Sequence, residues 1–259
     1  SSRVTLALEI TADKLLLAKA SCMGINCMIE PQNPFANKEL TTEERIVLRA
    51  EREANIEAEK NGGIPTKHSL IKLRKAYDDA GNDFKAAETL EQQNEIYPNP
   101  EDYNLIGVYY HNSGNKDKAV EFFERAIEHN PNDYWPNFNL GNTLFYKDPQ
   151  RARKHLNKAY ELYPSEPCIN ILLGRLDKNE GKTVEAKEKF QIAYDKYEQR
   201  WKANSLSDTD YDWFASVAEE LGKRDKAYEI RRAKPKIEKT SYYDEENLTQ
   251  TILKSITKI

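Results

Sequence analysis

The sequence predicts an all-α array of helix–turn–helix repeats, with an extra segment before it and a capping helix after it. Three observations predict this. A pattern recurs at about 34 residues, the spacing of stacked helix-pair units. The regular units carry a small residue in the first helix and Ala followed by Phe or Leu in the second. Gly and Pro punctuate the pattern where helices turn or end.

The clearest unit is Pro100 to Asp133. Tyr103, Ile106, Gly107 and Tyr110 mark one amphipathic helix, and Ala119, Phe123 and Ala126 mark the next. Gly114 and Asn115 between them tolerate the positive φ that a tight turn demands, and Pro131 ends the unit. Aligned on the turn and the following Ala, the units fall near 67–99, 100–133, 134–166, 167–200 and 208–234. The first has Leu70, Leu73, Tyr77, Gly81, Ala86, Leu90 and Pro98. The third has Leu140, Gly141, Leu144, Ala152, Leu156, Ala159 and Pro164, with a turn one residue short at Lys147–Pro149. The fourth has Leu173, Gly174, Gly181, Ala186, Phe190 and Ala193. The fifth keeps Tyr211, Ala215, Ala218, Gly222 and Ala227, but puts Arg231 where a large apolar residue is expected. Packing explains the pattern: Gly107, Gly141 and Gly174 let two helices approach, and Phe123, Leu156 and Phe190 fill the seam.

This recurrent set over residues 67–200, and more faintly over 208–234, resembles the tetratricopeptide repeat family. The resemblance implies a right-handed superhelix whose concave groove, lined by the first helix of each pair, binds a peptide or extended protein segment. It also implies a non-catalytic adaptor or scaffold. Relatives that bind chaperone tails use a Lys/Asn/Asn/Lys/Arg clamp. Only Asn142 fits that set here, with Phe138 where a clamp Lys would stand, which speaks against chaperone-tail binding.

The register assigns the groove. It takes Asn104, Val108 and His111 from the second unit, and Trp135, Phe138, Asn142, Phe145 and Tyr146 from the third. The fourth supplies Ile171, Arg175 and Lys178. An aromatic strip beside a basic strip would suit a partner with apolar anchors and an acidic group. The competing reading packs Trp135 and Tyr146 between helices and puts Arg175 in an internal ion pair.

Outside the array, residues 1–66 form an N-terminal segment. Val4, Leu6, Leu8 and Ile10 alternate as in a strand. The run Leu6–Ala20 is nonetheless rich in helix formers, and the helical character of the rest of the chain favours a helix. Pro31 and Pro34 break whatever precedes them. Thr41, with Glu44 three residues on, opens a charged helix to about residue 61, stopped by Gly62–Gly63. In the tail, 235–259, Leu248, Ile252, Leu253, Ile256 and Ile259 share one face of a capping helix. The same face would serve a self-associating homo-oligomer.

Composition narrows the function classes. Lys and Arg number 39 against 43 Asp and Glu, and 39 − 43 = −4 lacks the basic surplus of a nucleic-acid footprint. No apolar run is long enough for a membrane span. Cys22, Cys27 and Cys168 make no disulfide framework. Ser1 in place of Met points to processing or trimming, and both a cytoplasmic and an exported, periplasmic setting fit. No nucleophile or phosphate-loop motif appears, so no catalytic residue and no cofactor is assigned. Histidines 68, 111, 129 and 155 are scattered, and Cys22 and Cys27 have no second ligand pair, so no metal is assigned. Asp208, Asp210, Asp212 and Glu219 imitate a calcium loop, but Trp213 stands where its sharp turn needs Gly. The alternatives to an adaptor are a self-associating assembly protein, or the regulatory part of an enzyme complex with its chemistry in residues 1–66.

Overall fold

A computed structural model describes residues 4–10, 16–22, 25–32 and 40–235. The chain divides into two compact units, Ser1–Thr89 and Leu90–Ile259.

The first unit opens with three strands, β1 (Val4–Ile10), β2 (Leu16–Cys22) and β3 (Ile25–Gln32), in an antiparallel sheet of order β1-β2-β3. This corrects the helical reading of Leu6–Ala20. The alternation of Val4, Leu6, Leu8 and Ile10 was the truer signal, because strand pairing overrides intrinsic helix propensity. Pro31 does not end β3. The register slips between Leu16 and Ala18 of β2, whose partners are Gln32 and Ile29. Two β3 residues, Glu30 and Pro31, thus oppose Leu17, and a bulge on an edge strand accommodates a residue without an N–H.

Helix α1 (Thr42–Lys60) begins as its capping box requires. The Glu44 N–H donates to Thr41 Oγ1 at 3.2 Å, and the Thr41 N–H donates to Glu44 Oε2 at 2.7 Å. Its apolar face is thin. Ala54 is buried, while Ile46, Val47, Ala50 and Ile56 are half-buried against α2 (Lys67–Asp79). Tyr77 of α2 donates its hydroxyl to Glu51. Helix α3 (Asp83–Ile96) carries the division between the units.

The second unit continues with α4 (Tyr103–Asn112), α5 (Lys116–His129), α6 (Tyr134–Leu144), α7 (Pro149–Leu162), α8 (Pro167–Asn179), α9 (Thr183–Lys202), α10 (Asp208–Glu220) and α11 (Arg224–Ala233). They pack as the pairs α4/α5, α6/α7, α8/α9 and α10/α11, and the first helices α4 and α6 also touch. The seam follows the sequence pattern. A Cβ on Gly107 would sit 2.6 Å from the Phe123 ring, one on Gly141 2.6 Å from Leu156, and one on Gly174 2.7 Å from Phe190. Ala119, Ala152 and Ala186 are buried opposite them. Gly114, at φ 86°, makes the α4–α5 turn that only Gly adopts without strain. The shortened third turn does without such a residue. Asp148 instead accepts from the Arg151 N–H, and Pro149 takes the first helical position.

The last pair solves the same problem differently. Ala215 stands where its predecessors have Gly, and Arg231 points outward to Glu219 at 2.5 Å. Ile230, one residue earlier, is fully buried and fills the seam. The expected apolar residue is therefore present, offset by one position. The proposed capping helix over 244–259 lies outside the described residues.

Candidate functional site: the groove of the second unit

A cavity of about 670 Å³ opens along the first helices of successive pairs. It is lined by α4 and α6, by the starts of α8 and α10, and by the last turns of α9. Six of the residues assigned from sequence meet there: Asn104, Val108, His111, Trp135, Phe138 and Asn142.

One end is neutral and polar. Asn139 Nδ2 donates to Asn104 Oδ1 at 3.0 Å, tying α6 to α4. His111 Nδ1 lies 2.9 Å from Thr143 Oγ1, and that hydroxyl donates to the Asn139 carbonyl at 2.7 Å. The chain of donors assigns the proton to His111 Nδ1. Burial, helped by Lys116, pushes the His111 pKa down, so the ring is neutral at neutral pH. The Asn142 side chain has no hydrogen-bond partner among the described residues, leaving its donor and its acceptor to the cavity.

The middle is aromatic. Trp135 is 46% exposed, and its ring meets Phe138 edge-on at 6.1 Å. Phe138 in turn meets Trp213 of α10 at 6.2 Å, so one strip crosses from α6 to α10. Trp135 also packs on Tyr134 at 4.6 Å, and Phe138 is buried, so the open surface of the strip comes chiefly from Trp135.

The far end is charged. Arg200 of α9 reaches Glu166 at 3.2 Å and Asp210 at 3.3 Å. Asp210 also accepts from the Ser207 N–H at 3.0 Å, as part of the capping box that starts α10. That box accounts for the acidic run at 208–212: it stabilises a helix N-terminus. Behind these groups lie Cys168 and Tyr197. Burial, and Glu166 beside it, push the Cys168 thiol up, which keeps it protonated and unreactive.

The remaining sequence assignments lie elsewhere. Ile171 is 0% exposed, packed with Phe190, Phe214 and Val217, and cannot line a groove. Phe145 is buried with Leu156 and Leu172. Tyr146 is 86% exposed, touching Phe145 edge-on at 5.0 Å. Arg175 pairs with Glu220 at 3.0 Å and also donates to Ser216, and Lys178 meets the same Glu220 at 2.9 Å. Burial works to raise the Glu220 pKa, but Lys178 and Arg175 outweigh it and hold it low. The basic strip is thus an internal clamp between α8 and α10. Sequence reasoning missed Asn139, Glu166, Tyr197, Arg200 and Trp213. The signal for Arg200 was length: α9 has 20 residues where α5 and α7 have 14, and the extra turns carry Arg200 to the groove.

Paired helices with a Gly–aromatic seam, and a groove along the first helix of each pair, define a tetratricopeptide-type array. Residues 100–133 match the tetratricopeptide repeat family. Among solved structures it is similar to a crystal structure of MamA, at 20% identity over 64% of this chain and 99% of that one, with a TM-score of 0.51. It is also similar to a MamA from Desulfovibrio magneticus RS-1, at 17% identity over 64% and 91% of the two chains, with a TM-score of 0.47. At 20% identity the first of these likenesses is one of fold. Repeats of this class build extended surfaces for protein interaction. No helix among the described residues is long and apolar enough to cross a membrane.

Proposed function

We propose that this protein is a non-catalytic adaptor whose groove binds an extended peptide or protein segment. The observation that carries the reading is the Trp135–Phe138–Trp213 strip beside Asn142. It offers rigid aromatic contact area at small entropy cost, with an amide able to pair a ligand backbone in both directions. Asn104, Val108 and His111 extend the same wall. The outward-facing Tyr146 and the clamp residues Arg175 and Lys178 stand apart from it, and buried Phe145 and Ile171 support it from behind. With Arg175 and Lys178 both paired to Glu220, an acidic group on the partner has lost its proposed receptors.

The test is a paired capture from native lysate with two full-chain baits, the intact sequence and Trp135→Ala/Asn142→Ala. Circular dichroism first establishes equal helicity. A partner held by the intact chain and lost by the variant is the expected result. The same partners on both baits would reject the groove as the binding surface.

A further inference from the structure

Resting on the groove reading above, the geometry points to the kind of side chain the charged end receives. We infer that the pocket formed by Glu166, Asp210, Tyr197 and Trp213 takes a basic residue, Lys or Arg, from an extended partner segment.

Three observations carry this. First, the charges lining the cavity are Glu166, Asp210 and Arg200, and 1 − 2 = −1. Arg200 divides itself between the two carboxylates, reaching Glu166 at 3.2 and 3.5 Å and Asp210 at 3.3 Å. Those are long contacts for charge-assisted bonds. Each carboxylate offers about four acceptor sites, so capacity remains for a further donor. Second, Tyr197 is 0% exposed and lines the cavity, yet its hydroxyl has no hydrogen-bond partner among the described residues. A buried polar atom left without a partner is costly, and an incoming ammonium or guanidinium would supply the missing donor. Third, Trp135, Phe138 and Trp213 present aromatic surface to the same cavity. Aromatic faces attract a cation through the ring quadrupole, most strongly where carboxylates are near and water is scarce.

An acidic partner residue meets the opposite situation. To reach Arg200 it would have to draw that guanidinium away from Glu166 and Asp210. Their side chains are only 12% and 13% exposed, so two poorly solvated carboxylates would be left unpaired. An apolar residue satisfies neither the spare acceptors nor Tyr197, and a neutral amide brings donors but leaves the net negative charge unopposed.

The experiment uses the full chain and three labelled pools of short peptides. Their centres are Lys, Gln or Glu between two Leu residues, their flanks are degenerate, and binding is read by fluorescence anisotropy. The Lys pool is expected to bind about tenfold more tightly than the Glu pool, the worth of one charge-assisted bond. Glu166→Gln should narrow the gap between the Lys and Glu pools. Tyr197→Phe removes only the hydroxyl and should weaken the Lys pool selectively. It carries the test if Glu166→Gln fails to fold. Equal binding of the Lys and Gln pools, or preference for the Glu pool, would overturn this inference and leave the groove reading standing. Binding of no pool would overturn both.

Discussion

The seam and the groove of the second unit are built from the same helices by opposite rules. Along the seam, each pair repeats its neighbour: Gly107 against Phe123, Gly141 against Leu156, Gly174 against Phe190. Along the groove, no two pairs agree: Asn104 and His111 on α4 give way to Trp135 and Phe138 on α6, then to Glu166 at the start of α8. Repetition marks positions answerable only to packing between neighbours, since every pair must stack on the next. Departure from repetition marks positions that this stacking rule does not fix.

The contrast can be broken most forcefully at the seam. Gly107→Ala places a methyl 2.6 Å from the Phe123 ring. It should cost ~1–3 kcal/mol of stability in urea denaturation, even though Ala is the better helix former. Adding Phe123→Leu should recover part of that loss. A neutral or stabilising Gly107→Ala would mean the seam tolerates a side chain, and the packing account would fail.

At the groove the dissociation should reverse. Trp135→Ala should cost the bound partner about 2 kcal/mol of affinity, as for a central aromatic anchor. Because Trp135 is 46% exposed, the thermal midpoint should move little. If the midpoint falls with the affinity, Trp135 is a packing residue and the contrast collapses.

A smaller effect separates the polar wall from the seam by pH. His111 and His155 are both held below the ordinary value of 6.5, chiefly by burial. The folded chain therefore binds these protons less readily than the unfolded chain. Stability should be fully present above pH 6.5 and decline as acid forces the rings to charge. Thermal melts between about pH 7.5 and 5 should show the decline, and His111→Asn should flatten part of it. An unchanged midpoint across that range would remove the histidines from the account.

The smallest effect belongs to the last pair. Arg231 is exposed and pairs with Glu219 at the surface, so Arg231→Ala should change stability by about 0.5 kcal/mol or less. Ile230→Ala, from the buried neighbour, should cost ~2–5 kcal/mol in the same urea assay. Similar losses from the two would put Arg231 back in the seam.

The sequence alone determined the helical array, its turns and its seam. Those depend on contacts between residues a few positions apart or one unit away, and their spacing is written in the chain. It also brought Asn104, Val108, His111, Trp135, Phe138 and Asn142 to one cavity along α4 and α6, because a register propagates wherever the repeat is regular. Only the tertiary structure decided that Ile171 faces a core, that Arg175 and Lys178 share Glu220, and that Glu166, Tyr197, Arg200 and Trp213 meet in one pocket. The pocket depends on how α9 overruns its period and where it delivers Arg200, a long-range outcome that local pattern does not encode. The three strands of residues 4–32 teach the same lesson at the other end of the chain. Residues that favour a helix one by one form a sheet once partner strands satisfy their backbone.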